Sequence, residues 1–168
     1  MEFVEVIKNR CATRKFSNTK PTRELINQVL EAGRIAPTAK NNQPERIYII
    51  ETEESLRKLD EATPCRYNAP VVLMVCANKA EAFTKGDHSS YEMDASIVAT
   101  HLMLMATNLG LDNIWIEMFD REKLISLFSL EENIEPVCLI PIGYKAEDCP
   151  ESINHHNRKA LTEIVKYI

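Results

Sequence analysis

Ser89-Ser-Tyr-Glu-Met-Asp-Ala-Ser-Ile-Val-Ala-Thr-His-Leu-Met-Leu-Met-Ala-Thr-Asn-Leu-Gly110 is the stretch on which the fold turns. Ser89 and Glu92 have the spacing of a capping box, so a helix is predicted to open there, run to about Leu109 and stop at Gly110. Ile97, Val98, Ala99, Leu102, Met103, Leu104, Met105 and Ala106 wrap most of its circumference. A helix apolar nearly all round must be buried on nearly all sides. It is too short for the ~20 apolar residues of a membrane span, and Thr100 and His101 interrupt it. A chain of 168 residues is about one domain and keeps a high surface fraction. The surplus apolar surface therefore points to a central helix covered by a second subunit, with burial inside one subunit as the alternative.

Outward from this helix, helical and extended patterns alternate. Phe3, Val6 and Ile7 have helical spacing within residues 2 to 10. Thr22 can cap a helix whose inner face is Leu25, Ile26, Val29, Leu30 and Gly33, with Pro37 just past its end. Arg46-Ile-Tyr-Ile-Ile50 reads as a strand, residues 53 to 61 as a helix, and Pro70-Val-Val-Leu-Met-Val-Cys-Ala77 as a buried strand. Beyond the long helix, Asn113-Ile-Trp-Ile116 reads as a strand and Asp120 as the cap of a helix over 121 to 128. Val137-Cys-Leu-Ile-Pro-Ile142 is the last strand; residues 145 to 159 are polar, and a short helix over 160 to 166 closes the chain. There is no internal repeat and no Gly/Ser linker. The expectation is one α+β domain spanning residues 1 to 168.

Twenty-five acidic side chains oppose twenty basic ones, for a net charge of −5. Nucleic-acid binding calls for the opposite balance and is not expected. Five cysteines, an odd number without C-x-x-C spacing, suit reduced thiols in a cytoplasmic protein. Met-Glu-Phe-Val-Glu-Val at the start lacks the basic and apolar regions of a signal peptide, and no membrane association is expected.

Only four glycines occur, and no two are close. With neither G-x-G-x-x-G nor a P-loop, a bound phosphate must be gripped by side chains. Arg10-Cys-Ala-Thr-Arg14 offers two guanidinium forks that match phosphate oxygens; arginines ending a helix also serve its dipole. Ala36-Pro-Thr-Ala-Lys-Asn-Asn-Gln-Pro44 presents hydroxyl and amide groups able to meet a heteroaromatic edge, or to make turns. Glu117 stands where an apolar strand containing the sole Trp, Trp115, ends. His155-His156 has no third partner in sequence, so no metal is expected.

Taken in order, Ile7-Lys-Asn-Arg-Cys-Ala-Thr-Arg-Lys-Phe16, Ala36 to Pro44, Ala69-Pro-Val-Val72, Asp94-Ala95 with Leu102, Ala106 and Leu109-Gly-Leu111, Trp115-Ile-Glu-Met-Phe119, Pro141-Ile-Gly-Tyr144 and Arg158 resemble the nitroreductase family across nearly the whole chain. The resemblance implies a central, mainly antiparallel sheet flanked by helices, in an intertwined homodimer with strand exchange or C-terminal wrapping. It implies two FMN per dimer, each contacted by both subunits. Arg10, Cys11, Ala12 and Arg14 match the family's segment for the FMN phosphate and pyrimidine edge. Arg158 matches a second arginine on that phosphate, and His156 stands where some relatives have lysine. Pro37, Thr38, Ala39 and Asn41 match the stretch that reaches the flavin from the partner subunit. Ile116, Glu117 and Met118 match the segment along the isoalloxazine, where Glu117 can lie on the substrate side.

The implied activity is ping-pong transfer of electrons from NADH or NADPH through FMN to a small-molecule acceptor, a nitroaromatic or quinone. Dehalogenase-like or flavin-fragmenting chemistry on the same fold, or a flavin-binding dimer with little turnover, are the alternatives. Three departures bear on substrate range. Ala12 replaces the usual Ser, Glu45 the Trp of Q-P-W, and Met118 the small residue that usually follows the Glu. Residues 78 to 90 are short where longer relatives build a lid.

Overall fold

Two strands buried along most of their length form the spine of the molecule. In the computed structural model, which describes residues 1–168, β2 (Val71–Asn78) is buried from Val71 through Ala77, and β6 (Ile134–Gly143) is buried at every position but Glu135. They pair antiparallel from Val71↔Ile142 to Asn78↔Ile134, with a register shift at Val75/Cys76. β1 (Glu45–Ile50) pairs antiparallel with β2, from Glu45↔Ala77 to Ile50↔Val72. β5 (Asp112–Asn113) closes the sheet antiparallel to β6, giving the order β1-β2-β6-β5. A sheet buried on both faces reads as a continuous apolar run rather than an alternation, which is how residues 70 to 77 read.

The pleat sends alternate residues to opposite faces. Val71, Leu73, Val75 and Ala77 join α2 (Arg23–Arg34) and α4 (Tyr91–Asn108) in one core. Val72, Met74 and Cys76 join Leu59 of α3 (Glu53–Ala62) and Leu124 of α5 (Arg121–Leu127) in the other. The caps follow the local sequence. Thr22 Oγ accepts the Leu25 N–H at 3.3 Å, Asp120 accepts the Lys123 N–H at 3.1 Å, and Thr52 and Ser55 form a reciprocal capping box on α3. The first helix, α1, is Phe3–Asn9 and the last, α6, only Leu161–Ile164. No helix is long and apolar enough to cross a membrane.

Two expectations need correction. The capping box of Ser89 and Glu92 does not form. Ser89 lies in a small hairpin, β3 (Thr84–Lys85) with β4 (His88–Ser89), and the N-cap is Ser90. Ser90 Oγ does not cap either; it donates to the buried Asp94 carboxylate at 2.7 Å. The strand expected over 113 to 116 is cut to Asp112–Asn113 because Ile114 comes opposite Pro141, which has no N–H to return. Pairing resumes for one step, where Ile116 and Leu139 exchange both hydrogen bonds at 3.0 Å. Within one chain the long helix is covered on two sides, short of the complete burial that the alternative reading requires. Val98, Ala99, Leu102 and Ala106 lie in the core, while Met93 stays 50% and Ile97 39% exposed.

Helix α2 approaches α4 at Gly33, where an added Cβ would lie 2.7 Å from Leu102 Cδ2 and 3.1 Å from its Cγ. Leu102 is fully buried and has nowhere to retreat. Gly33→Val is therefore expected to cost about 2 kcal/mol by overpacking, read as a lower urea midpoint at unchanged slope; an unchanged midpoint would contradict this packing.

Burial pushes the Cys76 thiol up to about 12, with the Glu135 charge adding to it. Cys138 is raised too, by burial first and then by Cys76 and Glu117. The folded chain thus keeps protons that unfolded thiols release above about pH 8.5. Unfolding then sheds protons, so stability falls as pH rises through that value toward the folded thiols' range. Urea midpoints should decline between about pH 8.5 and 10, and Cys76→Ala with Cys138→Ala should flatten that decline; an equal slope in the variant would refute the assignment.

Candidate functional site

After α1 ends, the chain crosses the end of the sheet in an extended segment. Ala12 bridges Asn113 in parallel and the Thr13 N–H donates to Asn113 O at 3.1 Å. Thr13 is buried and its hydroxyl donates to Asp112 Oδ1 at 3.1 Å; the other Asp112 oxygen accepts the Lys145 N–H at 2.8 Å. Asn113 in turn donates to Met103 O at 3.1 Å and to Thr107 Oγ at 3.0 Å. The 11 to 13 segment is thereby tied to the last turns of α4.

Beside it opens a cavity of about 400 Å³ lined by Lys8, Cys11, Ala12, Thr13, Lys145 and His155, with Cys149 and His156 closing it from the C-terminal tail. The structure brings Cys11, Ala12 and His156 together as expected. Lys8, Lys145 and His155 are additions that carried no local signal. Both Asp112 oxygens are already engaged, and the buried His155 Nδ1 has no partner. Glu151 also lines the cavity, so its charge is mixed; Lys8, Lys145 and the free imidazole nitrogen are the groups in it that suit an anion. Arg10 is half-buried at the end of α1. Arg158 is exposed on the loop that carries His155 and His156, its Nη1 donating to the Asn154 and Asn157 carbonyls at 2.9 and 2.8 Å.

A second wall forms around Met118. Its carbonyl accepts the Thr63 hydroxyl at 2.6 Å and its sulfur lies 3.7 Å from Cys65 Sγ. Tyr67 is raised above the usual phenol value by its hydrogen bond with Cys65 and by burial, while the neighbouring Arg14 guanidinium pulls it the other way. Arg14 and Met118 thus flank one loop, 63 to 68, in which Tyr67 and Asn68 have φ of 54° and 63°. Left-handed backbone at residues other than glycine marks segments that their surroundings hold in place. Ile116 is buried in the sheet core. The Glu117 carboxylate turns the other way, accepts the Trp115 indole N–H at 2.8 Å and lines a separate cavity with Glu92, Ser96 and Arg121.

The third group stands apart. Pro37, Thr38, Ala39 and Asn41 lie in the connection from α2 to β1, around a 3-10 turn at Ala39–Asn41. Lys40, Asn41 and Gln43 have φ of 53°, 57° and 52°, each costing roughly 1–2 kcal/mol for an L residue. Tethers hold the loop there. Thr38 Oγ accepts the Gln43 N–H at 3.0 Å, Asn42 Nδ2 donates to Glu81 O at 2.9 Å, and Asp94 Oδ1 accepts the Ala39 N–H at 2.8 Å. Asp94 is in the first turn of α4, whereas Cys11 to Thr13 attach at its last turns. From 94 to 107 the helix rises about 20 Å, so one chain does not bring these two groups together.

A model of the Nitroreductase family matches residues 7–66 and 62–144. The chain is similar to a nitroreductase family protein of Clostridium difficile, with 36% identity, a TM-score of 0.92 and coverage of 99% of this chain and 98% of that one. A nitroreductase family protein of Clostridium novyi superposes with a TM-score of 0.81 at 27% identity, over 88% of this chain and 87% of the other. The FMN reductase (NAD(P)H) of Bacillus subtilis is 24% identical over 98% of this chain and 79% of its own length. The family model meets both the segment that enters the cavity and the residues around Met118, and the whole-chain superposition extends the match to the tail: this chain belongs to the nitroreductase family.

Proposed function

We propose that the protein is an FMN-dependent oxidoreductase that takes electrons from NADH or NADPH and passes them to a small electron-poor acceptor, a nitroaromatic or a quinone. The observation that carries this reading is the cavity at Cys11 to Thr13 with Lys8, Lys145 and His155 in its lining, from which the chain runs directly into Arg14 and the loop that Arg14 and Met118 flank, in a chain of this family. The residues fit a phosphorylated ring system. Lys8, Lys145 and the unpartnered His155 offer charge and donors without a glycine loop; His156 lines the same cavity, Arg10 precedes Cys11 in the chain, and Arg158 lies two residues beyond His156. These would hold the phosphate of FMN, with Cys11 and Ala12 beside it. Arg14 would face the pyrimidine edge, and Ile116, Glu117 and Met118 would run along the ring.

Bound FMN supplies the redox chemistry that lets one site serve donor and acceptor in turn. The chain supplies position and polarity. The Arg14 guanidinium would supply a fixed cation toward the pyrimidine edge of the bound cofactor. Met118, 67% exposed, presents a soft apolar surface on which an aromatic acceptor could rest. Glu117 is held by Trp115 and faces away, so solvent and acceptor supply the protons.

The functional unit we propose is a homodimer, which supplies Pro37, Thr38, Ala39 and Asn41 from the second chain. Met93, Ile97, Thr100 and Leu104 follow one another at helical spacing along the uncovered side of α4. Two such helices packed antiparallel about a two-fold axis set the head of one against the tail of the other, which unites the two separated groups. Phe3, Val4 and Ile7 of α1 and Leu161, Ile164 and Tyr167 of the tail are all more than half exposed, apolar side chains that a second chain could cover. The tail is extended at Val165 and β1 is an open sheet edge, a pairing template that needs covering.

The purified protein should be yellow, be bleached anaerobically by NADH or NADPH, and recover its colour on adding nitrofurazone or a quinone. Initial rates should give parallel double-reciprocal lines. Bleaching by neither nucleotide would remove the proposed electron donors. Arg14→Ala, on an exposed side chain, should purify with less than about a tenth of the flavin, as expected for losing a charged hydrogen bond of 1.5–3 kcal/mol, while the apo-protein melts unchanged. Full flavin content in this variant would refute its assignment.

A further inference from the structure

The strip from Thr38 to Gln43 has no contact in the sheet ladder, and its three left-handed residues hold only while its tethers do. Two of its backbone bonds are internal: Asn41 N–H to Thr38 O at 2.9 Å and Asn42 N–H to Ala39 O at 3.1 Å. The bond that docks its start onto the body of the molecule runs from Ala39 N–H to Asp94 Oδ1 at 2.8 Å. Asp94 is 2% exposed, and its second oxygen accepts from Ser90 Oγ at 2.7 Å. It is fixed by its own position in the first turn of an 18-residue helix, where the helix dipole favours an anion. The carboxylate therefore has both acceptors filled by neutral donors and makes no ion pair. Its one link beyond its own helix is the amide of a residue in the strip.

We propose that Asp94 is a positioning residue for the cofactor site of the partner subunit: through the Ala39 N–H it sets the place of Pro37, Thr38, Ala39 and Asn41, which complete that site. The proposal rests on the FMN-binding homodimer proposed above. It assigns the buried carboxylate a part in a site that it never touches, at the far end of α4 from its own chain's cavity.

The conservative variant separates the bond from the charge. In Asp94→Asn the amide oxygen can still accept from Ala39 and the amide nitrogen can donate to Ser90 Oγ, so both links survive. Asp94→Leu keeps the volume and removes both; Asp94→Ala serves if the leucine variant does not fold. On apo-proteins, trypsin should cut after the exposed Lys40 about tenfold faster in Asp94→Leu than in wild type, because the protection of a docked loop follows its local opening. FMN affinity should fall by about tenfold, the equivalent of one lost buried hydrogen bond. Asp94→Asn should match wild type in both measurements. In a mixed dimer of one Asp94→Leu chain and one Arg14→Ala chain, built with different tags, one site receives an intact half from each chain. It should recover one tightly bound FMN per dimer, where both parent homodimers bind poorly.

Equal trypsin rates in wild type and Asp94→Leu, an asparagine variant as impaired as the leucine one, or a mixed dimer that binds no better than its parents would each overturn the proposal. Failure of the wild-type protein to bind FMN would instead sink the cofactor reading, and the trypsin comparison would still report on Asp94.

Discussion

Helix α4 acts as a spacer of fixed length. Its first turn holds the Thr38 to Gln43 strip through Asp94, and its last turns hold Asn113, and with it Cys11 to Thr13, through Met103 and Thr107. A helix does not shorten, so the groups at its two ends stay about 20 Å apart. Within one chain they cannot share a small ligand. The same helix is apolar on three sides and covered on two. In the homodimer proposed above, a second copy placed across the uncovered stripe would also bring the two separated groups of residues together.

The rest of the architecture serves to hold this helix and to free the sheet end. Both faces of β2 are buried in the two cores, so its register is held by packing on both sides rather than by an alternation of apolar and polar residues. Gly33 lets α2 close on Leu102 and thereby fixes how deep α4 sits. On the far edge, Pro141 interrupts the pairing of β5 with β6, which releases residues 114 to 119 from a regular strand. That release turns Glu117 toward Trp115 and leaves Met118 outside, against Cys65. A single imino acid in β6 thus shapes the wall on which the proposed ring would lie.

Much of this was legible in the sequence where the determinants are local. The caps at Thr22 and Asp120 form as their spacing indicates, because each accepts from an N–H three residues on. The apolar run over 70 to 77 is the central strand. The cap at Ser89 was misread because the competitor is not local: Ser90's hydroxyl serves Asp94, which must also hold Ala39, 55 residues away in sequence. The strand over 113 to 116 was overextended because its interruption lies in its pairing partner, Pro141, and not in its own residues. At the site, Cys11, Ala12 and His156 were found together through their order along the chain. Lys8, Lys145 and His155 were not, since only the topology brings the end of α1, the end of β6 and the tail to one cavity. Asp94 is visible as part of a pattern, but the role proposed for it depends on a contact with Ala39 that no window of sequence contains.

The central claim is that one chain holds two incomplete half-sites and that FMN binds only where two chains meet. Sedimentation velocity followed at the flavin's visible absorbance measures this directly. The account requires all bound FMN to travel with a species of twice the 19.2 kDa chain mass, at one flavin per chain, and requires dilution to monomer to release it. Flavin that stays bound to a particle of 19.2 kDa would contradict it.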